Sequence, residues 1–542
     1  MTVGGASDGG VVLERRTADV VVVGGGVAGL VAALECAKIG LKVALLERRD
    51  ALGGCVGRLE LDGLTIDSGA ESFATRGGAV AELIAGLGLA DAVESPNPAG
   101  AWLVWPAAGR LDAAPLPKTG MLGIPANPLG EDVRRIIGWS GASRAYLDRL
   151  KPILRIGRAH SLGKLVRERM GDAVLDRLVT PISAGVYSTN PDDLDLDVVA
   201  PGLNEAMTRT GSLSGGVGQL LEERKAGGAV QGLTGGMHTL VDALLAQLER
   251  FGVEVVTGAD VTALERTDGG WRTTATIAAG PDGSTDGAVI GAAASGTAPS
   301  EPAGDGSTLV VDSRFVLLAS PAEASRGLLV DAVEGWADAT AWPSAASVEI
   351  VTLVLDAPAL DDAPRGTGVL VAAGTPGVTA KALTHSTAKW SWLAERTEGR
   401  HVVRLSYGRA GESNPLDGRS DAEVRAIALA DASTLLGVDL DDAAIRALGR
   451  ASWRDALSQA TLGQRDRVRA LEEALAAEPG IEVTGSWVAG TGLASVVPHA
   501  ISAAARIRHL AVGPSADAAP GTTAESKAGH ADGSARRPDA NA

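Results

Sequence analysis

The sequence predicts an α/β protein in which a Rossmann-like, dinucleotide-binding domain is interleaved with a mixed-sheet substrate domain and a helical insertion domain. Three observations support this organisation. Residues 18–47 read as strand, glycine-rich turn, helix and strand, in the order of a βαβ unit. Residues 131–224 repeat apolar side chains every three or four positions, which predicts helices. Residues 345–410 alternate apolar and polar side chains, which predicts the strands of a second sheet.

The first βαβ unit carries a glycine fingerprint for a diphosphate. Val20–Val23 is an unbroken apolar run with the length of a buried strand. The spacing G-x-G-x-x-G follows at once, in Gly24, Gly25, Gly26, Val27, Ala28 and Gly29. One glycine makes the tight turn, one lets the backbone approach a pyrophosphate, and one lets the helix pack closely on the strand. The helix predicted over Val27–Ile39 would point its free N–H groups and the positive end of its dipole at that pyrophosphate.

An acidic residue ends the second predicted strand, Lys42–Glu47. In such units this carboxylate accepts hydrogen bonds from the adenosine ribose and disfavours the 2′-phosphate of NADP, so Glu47 leaves NAD or FAD. Residues 48–58, RRDALGGCVGR, then add a second glycine pair that is closed by Arg58. This stretch resembles the second signature, GG-x-x-x-R, of the FAD-binding amine-oxidase superfamily. The resemblance implies that the cofactor is FAD, with backbone and Arg58 on the far side of its diphosphate.

The composition is that of a globular protein of several domains. The chain has 542 residues, 45% of them apolar, and a formal net charge of −17 at pH 7. Its bulk charge therefore opposes binding to nucleic acid or to an anionic membrane, although a local arginine can still bind an anionic substrate. The two cysteines, Cys36 and Cys55, lack metal-ligand spacing and fit a reducing compartment, so we expect neither a metal site nor a disulfide. The sequence shows no signal peptide and no membrane-spanning apolar tract, which predicts a cytoplasmic protein.

The pattern of elements divides the chain into alternating segments. We expect the FAD-binding domain to comprise residues 17–100, 231–330 and 451–510. Residues 101–230 are predicted to hold substrate-domain strands and the helical insertion, and residues 331–450 the rest of the substrate-domain sheet. The remaining segments are low in complexity or polar, and they are predicted to be a flexible insert at 279–307 and disordered tails at 1–16 and 514–542.

Four shorter stretches carry predictions of their own. Asp62-Gly63 is a turn signal inside an alternating stretch, which predicts a hairpin over Gly57–Ile66. The stretch Thr180–Leu196, TPISAGVYSTNPDDLDL, is predicted to be a loop. Asp421–Leu436 is predicted to be a helix, and Trp487–Arg506 to be a glycine loop followed by a helix.

Four blocks of the sequence together resemble one family. They are VVVVGGGVAGL with ERRDALGGCVGR, IDSGAESF, TPISAGVYSTNPDDLDL, and GLTGGMHTLVDAL with TGADVTAL. Within the FAD-binding amine-oxidase superfamily they resemble the protoporphyrinogen and coproporphyrinogen oxidases of haem synthesis. The resemblance is greatest to the Gram-positive and actinobacterial members that oxidise coproporphyrinogen III, and it spans about residues 18–510.

The resemblance implies a set of FAD contacts. The first glycine loop would hold the diphosphate, Glu47 the ribose and the backbone of Val261 the adenine. The segment Gly69–Ser72 would line the isoalloxazine, and Ala494–Val496 would reach the flavin ring from the C-terminal helix. The predicted cofactor-binding residues are Gly24, Gly25, Gly26, Val27, Ala28, Gly29, Glu47, Arg48, Cys55, Arg58, Gly69, Ala70, Glu71, Ser72, Val261, Trp453, Ala494, Ser495 and Val496.

The chain departs from the family pattern at two places. Trp453 precedes a block that in many relatives reads Pro-Gln-x-x-x-Gly-His, whereas residues 458–464 here read SQATLGQ, without the proline or the histidine. Some relatives also place a propionate-binding arginine before the strand near residue 102, where this chain has Gly100-Ala101-Trp102. Arg76 is the nearest basic replacement and is predicted to bind the substrate, the alternative being a surface or structural charge. Tyr187 is predicted either to face the substrate cavity or to pack within the helical domain.

The resemblance also implies the reaction. A porphyrinogen would lose six electrons in three flavin cycles, with O₂ as acceptor and H₂O₂ as product, and we assign no catalytic acid or base. The expected substrate is coproporphyrinogen III, with protoporphyrinogen IX as one alternative and an amine or a carotenoid as another. A flavin-binding protein without catalysis is a further alternative. We also expect a transient contact with the next enzyme of the haem pathway.

Overall fold

The computed structural model describes residues 13–107, 109–151, 158–223, 230–278, 307–333, 336, 342–343, 346–457 and 460–513. The predicted tails lie outside these residues, apart from residues 13–16. The predicted insert at 279–307 also lies outside them, apart from Ser307.

Strands occur throughout the described chain. In chain order they are β1 (Leu13–Val23), β2 (Val43–Leu46), β3 (Arg58–Leu61), β4 (Leu64–Asp67), β5 (Phe73–Ala74), β6 (Val93–Glu94), β7 (Trp102–Ala107), β8 (Arg110–Pro115), β9 (Gly120–Met121), β10 (Ile124–Pro125), β11 (Val230–Leu233), β12 (Glu254–Val256), β13 (Ala259–Thr267), β14 (Gly270–Ile277), β15 (Ser307–Leu318), β16 (Ala346–Leu355), β17 (Gly368–Val371), β18 (Ala382–His385), β19 (His401–Tyr407), β20 (Ile445–Leu457) and β21 (Ile481–Val483).

Helices alternate with these strands. In chain order they are α1 (Val27–Ala37), α2 (Ala79–Gly86), α3 (Glu131–Tyr146), α4 (Leu162–Met170), α5 (Asp172–Val174), α6 (Thr180–Tyr187), α7 (Leu196–Val199), α8 (Leu203–Thr210), α9 (Leu213–Glu223), α10 (His238–Arg250), α11 (Ala322–Ala332), α12 (Ser386–Lys389), α13 (Ser391–Arg396), α14 (Asp421–Leu436), α15 (Gln464–Ala476), α16 (Ser486–Ala489) and α17 (Leu493–Val512).

The first sheet has the strand order β12-β2-β1-β15-β14-β13, and β21 pairs with the end of β15. Strand β1 pairs in parallel with β2 on one side and with β15 on the other. Helices α1, α10 and α17 pack on the face that carries Val20 and Val22. The face that carries Val21 and Val23 packs against α11 and α15. Because helices cover both faces, the strand is apolar without alternation, and the predicted Rossmann-like α/β fold is confirmed.

Strand β1 is longer than the sequence indicates. Residues 13–16 were predicted to be part of a disordered tail, but they belong to β1 and pair with residues 308–311 of β15. The prediction was wrong because Glu14, Arg15 and Arg16 are polar, and their pairing partner lies far along the chain. At the other end of the insert, Ile277 of β14 faces Ser307 of β15 in an antiparallel pair. The two flanks of the insert therefore pair with each other, and Ser307 belongs to a strand.

The second sheet has the order β20-β16-β19-β18-β17-β7-β8, with only β17 and β7 parallel. Helix α14, which has the predicted bounds, covers one face of this sheet. The other face packs against the β3–β4 hairpin near its β16 end and against the helical segment near β7. Strand β20 pairs with β16 as far as Leu457, so the boundary predicted at residue 450 falls inside this strand.

Helices α3 to α9 form a cluster that packs on Leu103 and Trp105 of β7. One of them contradicts the sequence analysis, because α6 (Thr180–Tyr187) lies in the stretch predicted to be a loop. Pro181 follows directly on a π-helical turn, Leu175–Val179, in which the regular hydrogen-bond ladder is already shifted, so the missing N–H of the proline is accommodated there. Ser188 then ends the helix in the left-handed region, with φ 53°. The polar residues after Ser188 concealed the short helix.

Candidate functional site

The first glycine loop joins β1 to α1 through close backbone contacts. Gly24 has φ 106°, and a Cβ placed on it would lie 2.8 Å from the backbone carbonyl of Ala319. A Cβ placed on Gly29 would lie 1.9 Å from the carbonyl oxygen of Gly24. Glycine is therefore required at both positions, one for the turn and one for the contact between helix and strand.

The N-terminus of α1 faces the second glycine loop. The N–H of Gly53 donates to the carbonyl of Gly25 over 2.8 Å, which holds the two loops side by side. A Cβ on Gly26 would have only the Cα of Gly54 within reach, at 4.0 Å. Within the described residues, no side chain caps α1 and its first turn holds no acid. The free N–H groups and the open space beside Gly26 fit a diphosphate.

Glu47 lies beside this loop at the carboxyl end of β2. Its Oε2 accepts from the N–H of Gly25 over 2.6 Å, and its Oε1 accepts from the N–H of Arg49 over 2.9 Å. Its carbonyl accepts from the N–H of Ala259 over 2.8 Å, which brings the start of β13, with Val261, next to the loop. The side chain of Arg48 is exposed. The site thus places Glu47 and the β13 backbone together where the predicted adenosine half would bind.

The second glycine loop contacts the segment that follows β4. The carbonyl of Cys55 accepts from the N–H of Ala70 over 2.8 Å, and a Cβ on Gly69 would lie 2.2 Å from that carbonyl oxygen. Burial raises the pKa of the Cys55 thiol and the charge of Arg49 opposes this, so the thiol is neutral at pH 7. Arg58 lies 3.5 Å from the carboxylate of Asp242 on α10. That partner was not predicted, and the contact of Arg58 with a diphosphate stays a prediction.

Glu71 forms a buried ionic cluster with the substrate sheet. Its Oε1 accepts from Lys389 Nζ over 2.5 Å, and its Oε2 accepts from Arg404 Nη1 over 2.8 Å and from Ser386 Oγ over 3.2 Å. Arg404 also donates to the carbonyl of Gly69 over 2.6 Å. Burial alone would raise the pKa of Glu71, but the charges of Lys389 and Arg404 lower it to about 2. The cluster fixes the segment Gly69–Ser72 to the second sheet.

Sequence reasoning missed the cationic half of this cluster. Lys389 follows Glu71 by 318 positions and Arg404 follows it by 333. Neither residue lies in a block that resembles the family, and no local spacing links them to Glu71. Only the pairing of β18 with β19 brings the two cations together.

Trp453 connects β20 to the same segment. Its Nε1 donates to the carbonyl of Ser68 over 3.3 Å, and a Cβ on Gly69 would lie 3.3 Å from its ring. The Arg49 guanidinium lies 5.1 Å from the ring centroid. Further along, Gln464, which stands where relatives carry histidine, is buried and donates from Nε2 to the carbonyl of Trp487 over 2.6 Å. Gln464 therefore holds the turn that precedes α17.

The first turn of α17 meets Arg76. Helix α17 begins after Gly492, which has φ 90°, and its first turn contains Ala494, Ser495 and Val496. The Nη2 of Arg76 donates to Ser495 Oγ over 2.8 Å. Burial raises the pKa of Tyr187, and the charge of Arg76 opposes that rise. Arg76 therefore joins the loop after β5 to the start of α17, whereas the Tyr187 side chain, at the end of α6, packs against the apolar cluster of helices α3 to α9, one of its two predicted positions.

The histidines near these elements have structural partners. His238 donates its backbone N–H to Asp67 over 3.1 Å, and its Nδ1 lies 3.2 Å from the same carboxylate. Asp67, which also accepts from the N–H of Met237 over 3.0 Å, therefore caps the start of α10. His499 contacts Thr484 Oγ1 at 3.0 Å, and burial lowers its pKa to about 4. In the part of the chain that the structure describes, no group of three or more His, Cys, Asp or Glu residues is placed to hold a metal.

Helix α17 has 20 residues and includes the charged side chains of Arg506 and Arg508. Among the helices of the described ranges, none has both the length and the apolar content needed to cross a membrane.

Comparisons with known proteins agree with this architecture. Residues 27–508 match the model of the family described as flavin containing amine oxidoreductase. The coproporphyrinogen III oxidase of Bacillus subtilis (strain 168) is 26% identical over 491 residues, which cover 88% of this chain and 94% of that protein. The protein of the same name from Mycobacterium tuberculosis (strain ATCC 25618 / H37Rv) is 29% identical over 497 residues, covering 90% and 95%.

A solved structure has the same overall fold. It is the crystal structure of a candidate protoporphyrinogen oxidase from Exiguobacterium sp. 255-15, with a TM-score of 0.71 and 26% identity. The match covers 91% of this chain and 98% of that one. The family model spans most of the present chain, and the two glycine loops with Glu47 fit FAD. This chain is therefore an FAD-dependent oxidoreductase that belongs to the flavin containing amine oxidoreductase family.

Proposed function

We propose that the chain oxidises coproporphyrinogen III to coproporphyrin III in haem synthesis, a six-electron oxidation in three flavin cycles with O₂ as acceptor and H₂O₂ as product. The names of the Bacillus and Mycobacterium relatives and their coverage support this substrate. The observation that carries the proposal is Arg76, held by Ser495 at the N-terminus of α17. A guanidinium at this place can bind a propionate of the macrocycle while the ring meets the flavin.

Each of the predicted cofactor contacts has a role in this proposal. The N–H groups at the start of α1 bind the diphosphate, with Cys55 and Arg58 on its far side, and Glu47 accepts from the ribose. The backbone of Val261 contacts the adenine. The segment Gly69–Ser72, backed by Trp453, would line the isoalloxazine, and the first turn of α17 would reach the flavin ring. When bound, FAD supplies the electron acceptor that side chains cannot provide.

Glu71 is not a proton donor in this proposal. Its pKa of about 2 keeps it ionised at neutral pH, and both of its oxygens accept hydrogen bonds from cations. Its role is to fix the flavin-facing segment. We assign no catalytic acid or base, since removal of hydride from a porphyrinogen leaves a cation that releases its proton without a dedicated base.

The proposal favours coproporphyrinogen III because its four propionates give a positive site more carboxylates to bind. Arg76 is exposed at the edge of the site, so a propionate can reach it while the others stay hydrated. The second candidate substrate is protoporphyrinogen IX, which the name of the Exiguobacterium structure supports.

The test is flavin bleaching under anaerobic conditions with each porphyrinogen in turn, followed by kcat/KM and H₂O₂ yield in air. Both substrates are measured with and without detergent, which controls for the poor solubility of protoporphyrinogen IX. We expect faster bleaching and a higher kcat/KM with coproporphyrinogen III in both conditions. A preference for protoporphyrinogen IX in both conditions would overturn the substrate, and a failure to bleach with either would overturn the function.

A further inference from the structure

Lys381 is a fully buried lysine whose contacts are unusual. Its side chain is 1% exposed, and its Nζ donates to Ser188 Oγ over 2.5 Å and to the carbonyl of Gly408 over 2.7 Å. Both acceptors are neutral, and among the described residues no carboxylate forms an ion pair with it. Burial, together with the nearby charge of Arg409, lowers the pKa of Lys381 to about 7. Because an unsatisfied buried amine is costly, these two hydrogen bonds tie Lys381 firmly to Ser188 and Gly408.

Its partner Ser188 is the residue that ends α6. Ser188 is 1% exposed and has φ 53°, a left-handed conformation that a residue with a side chain adopts at a cost. Its carbonyl accepts from the N–H of Ala410 over 2.7 Å. The turn is thus held from two directions, by Lys381 at its hydroxyl and by the loop after β19 at its carbonyl.

The turn determines where the end of α6 lies. Within α6, a Cβ on Gly185 would lie 2.7 Å from Leu370 Cδ2, so the helix lies directly on β17. Tyr187 comes immediately before Ser188, and the charge of Arg76 acts on its hydroxyl. A change in the Ser188 turn therefore moves Tyr187 relative to Arg76.

We propose that Lys381 is a positioning residue for the substrate site: by holding Ser188 it places the Tyr187 hydroxyl opposite the Arg76 guanidinium, so that both donate to one carboxylate of the substrate. This inference rests on the proposed function, because that function assigns Arg76 to a substrate carboxylate. Lys381 itself is buried and acts through Ser188.

The first test needs no substrate. Tyrosine labelled with ¹³C at Cζ gives one resonance for each of the three tyrosines of the chain, and Tyr187→Phe identifies the resonance of Tyr187. In the flavin-loaded protein, Arg76→Ala should shift that resonance. In the Lys381→Met background, the same Arg76→Ala change should shift it by less than about half as much. An undiminished shift would overturn the inference.

The second test is kinetic and uses coproporphyrinogen III. Lys381→Met should raise KM about five- to fiftyfold while kcat stays within about twofold and flavin content is unchanged. The exposed Lys164 on α4 provides the matched control, since Lys164→Met changes the same side chain outside the site. An unchanged KM, or a loss of kcat without a change in KM, would overturn the inference.

A milder variant covers the case in which Lys381→Met does not fold. Ser188→Ala removes only the hydroxyl and leaves the bond from Lys381 to Gly408, so it should change KM and the Tyr187 resonance in the same direction but less. If the Tyr187 resonance behaves as expected while the wild-type enzyme oxidises neither porphyrinogen, the positioning role stands and the proposed function fails. If porphyrinogen is oxidised and the Tyr187 resonance does not respond, the proposed function stands and the positioning role of Lys381 fails.

Discussion

Arg76 donates a 2.8 Å hydrogen bond to Ser495, which lies 419 positions further along the chain in the first turn of α17. The N-terminus of a helix carries the positive end of its dipole, so a guanidinium placed there is electrostatically unfavourable by itself. An anion that interacts with both the guanidinium and the helix N-terminus would remove this conflict. The pair therefore supports a carboxylate-binding role for Arg76 more strongly than its sequence position does.

Arg76→Ala should raise KM for the porphyrinogen about ten- to hundredfold, since a charge-assisted hydrogen bond to the substrate is lost. Flavin content should stay normal, because Arg76 contacts α17 through a side chain and not through the glycine loops. Steady-state kinetics with the flavin absorbance of each preparation measure both quantities. The exposed Arg110 of β8 is the control, and Arg110→Ala should leave KM unchanged. An unchanged KM in Arg76→Ala would show that Arg76 is a surface charge that does not bind the substrate.

Gly26 and Gly29 should respond differently to added side chains. Gly26→Val places methyl groups in the open space beside the second glycine loop, so the protein should fold but purify without its yellow colour. Gly29→Ala places a Cβ 1.9 Å from a backbone carbonyl. That variant should lose about 1–3 kcal/mol or more of unfolding free energy. Absorbance at the flavin band and urea denaturation separate the two effects. A yellow, flavin-loaded Gly26→Val protein would contradict the assignment of this space to the diphosphate.

Glu71→Gln should destabilise the protein by about 3–5 kcal/mol, because Lys389 and Arg404 would remain buried without their carboxylate. Urea denaturation at pH 7 measures the loss. The exposed Glu60 of β3 serves as the control, and Glu60→Gln should stay within about 0.5 kcal/mol of the wild type.

The same carboxylate also makes stability depend on pH. The pKa of Glu71 is lowered to about 2 from its ordinary value of 4.5, so its stabilising effect is complete above pH 4.5. That contribution is lost as the pH falls from 4.5 towards 2. Glu71→Gln should lack this part of the acid transition. Parallel pH curves for the variant and the wild type would show that Glu71 is not paired as described.

Lys381 should make stability rise with pH as well, but in a higher pH window. Its pKa in the folded protein, about 7, lies below its ordinary value of 10.5. Below pH 7 both states carry the proton and the burial penalty is full, whereas between pH 7 and 10.5 only the unfolded state carries it. Stability contributed by this residue therefore rises with pH in that window, by up to about 1.4 kcal/mol per pH unit.

The measurement is the difference in unfolding free energy between Lys381→Met and the wild type at several pH values from 7 to 9.5. As the pH rises, the unfolding free energy of the variant should fall relative to that of the wild type, because the variant lacks the titrating amine. Lys164→Met should instead follow the wild-type curve at a constant offset. A constant difference for Lys381→Met would mean that the buried amine does not titrate in this range.

Local patterns were enough to predict the first βαβ unit, the β3–β4 hairpin at Asp62-Gly63 and the bounds of α14. Each depends on features within one short stretch, such as the left-handed turn at Asp62-Gly63 or the capping box that Ser420 and Glu423 form at the start of α14. The cofactor contacts followed from the family resemblance, and their chemistry is consistent with the two glycine loops.

Elements stabilised by distant partners were not predicted. Helix α6 ends at Ser188 only because Lys381 and Ala410 hold its left-handed turn, and neither is near it in sequence. The pairing of Glu71 with Lys389 and Arg404 likewise needs the completed second sheet. The partners in these contacts are far apart in the sequence, so residue spacing within a single stretch cannot predict them.

The position of β1 between β2 and β15, with α17 packed on α1, has a consequence for biosynthesis. Helix α1 ends at Ala37, and α17 ends 475 residues later, at Val512. At a translation rate of about 5–20 residues per second, roughly 25 to 95 seconds separate the two on the ribosome. Until α17 is made, the apolar face of α1 that it covers stays exposed, and the nascent chain needs protection from aggregation. Because α17 packs on α1, one face of the first βαβ unit is completed only when the end of the chain has been synthesised.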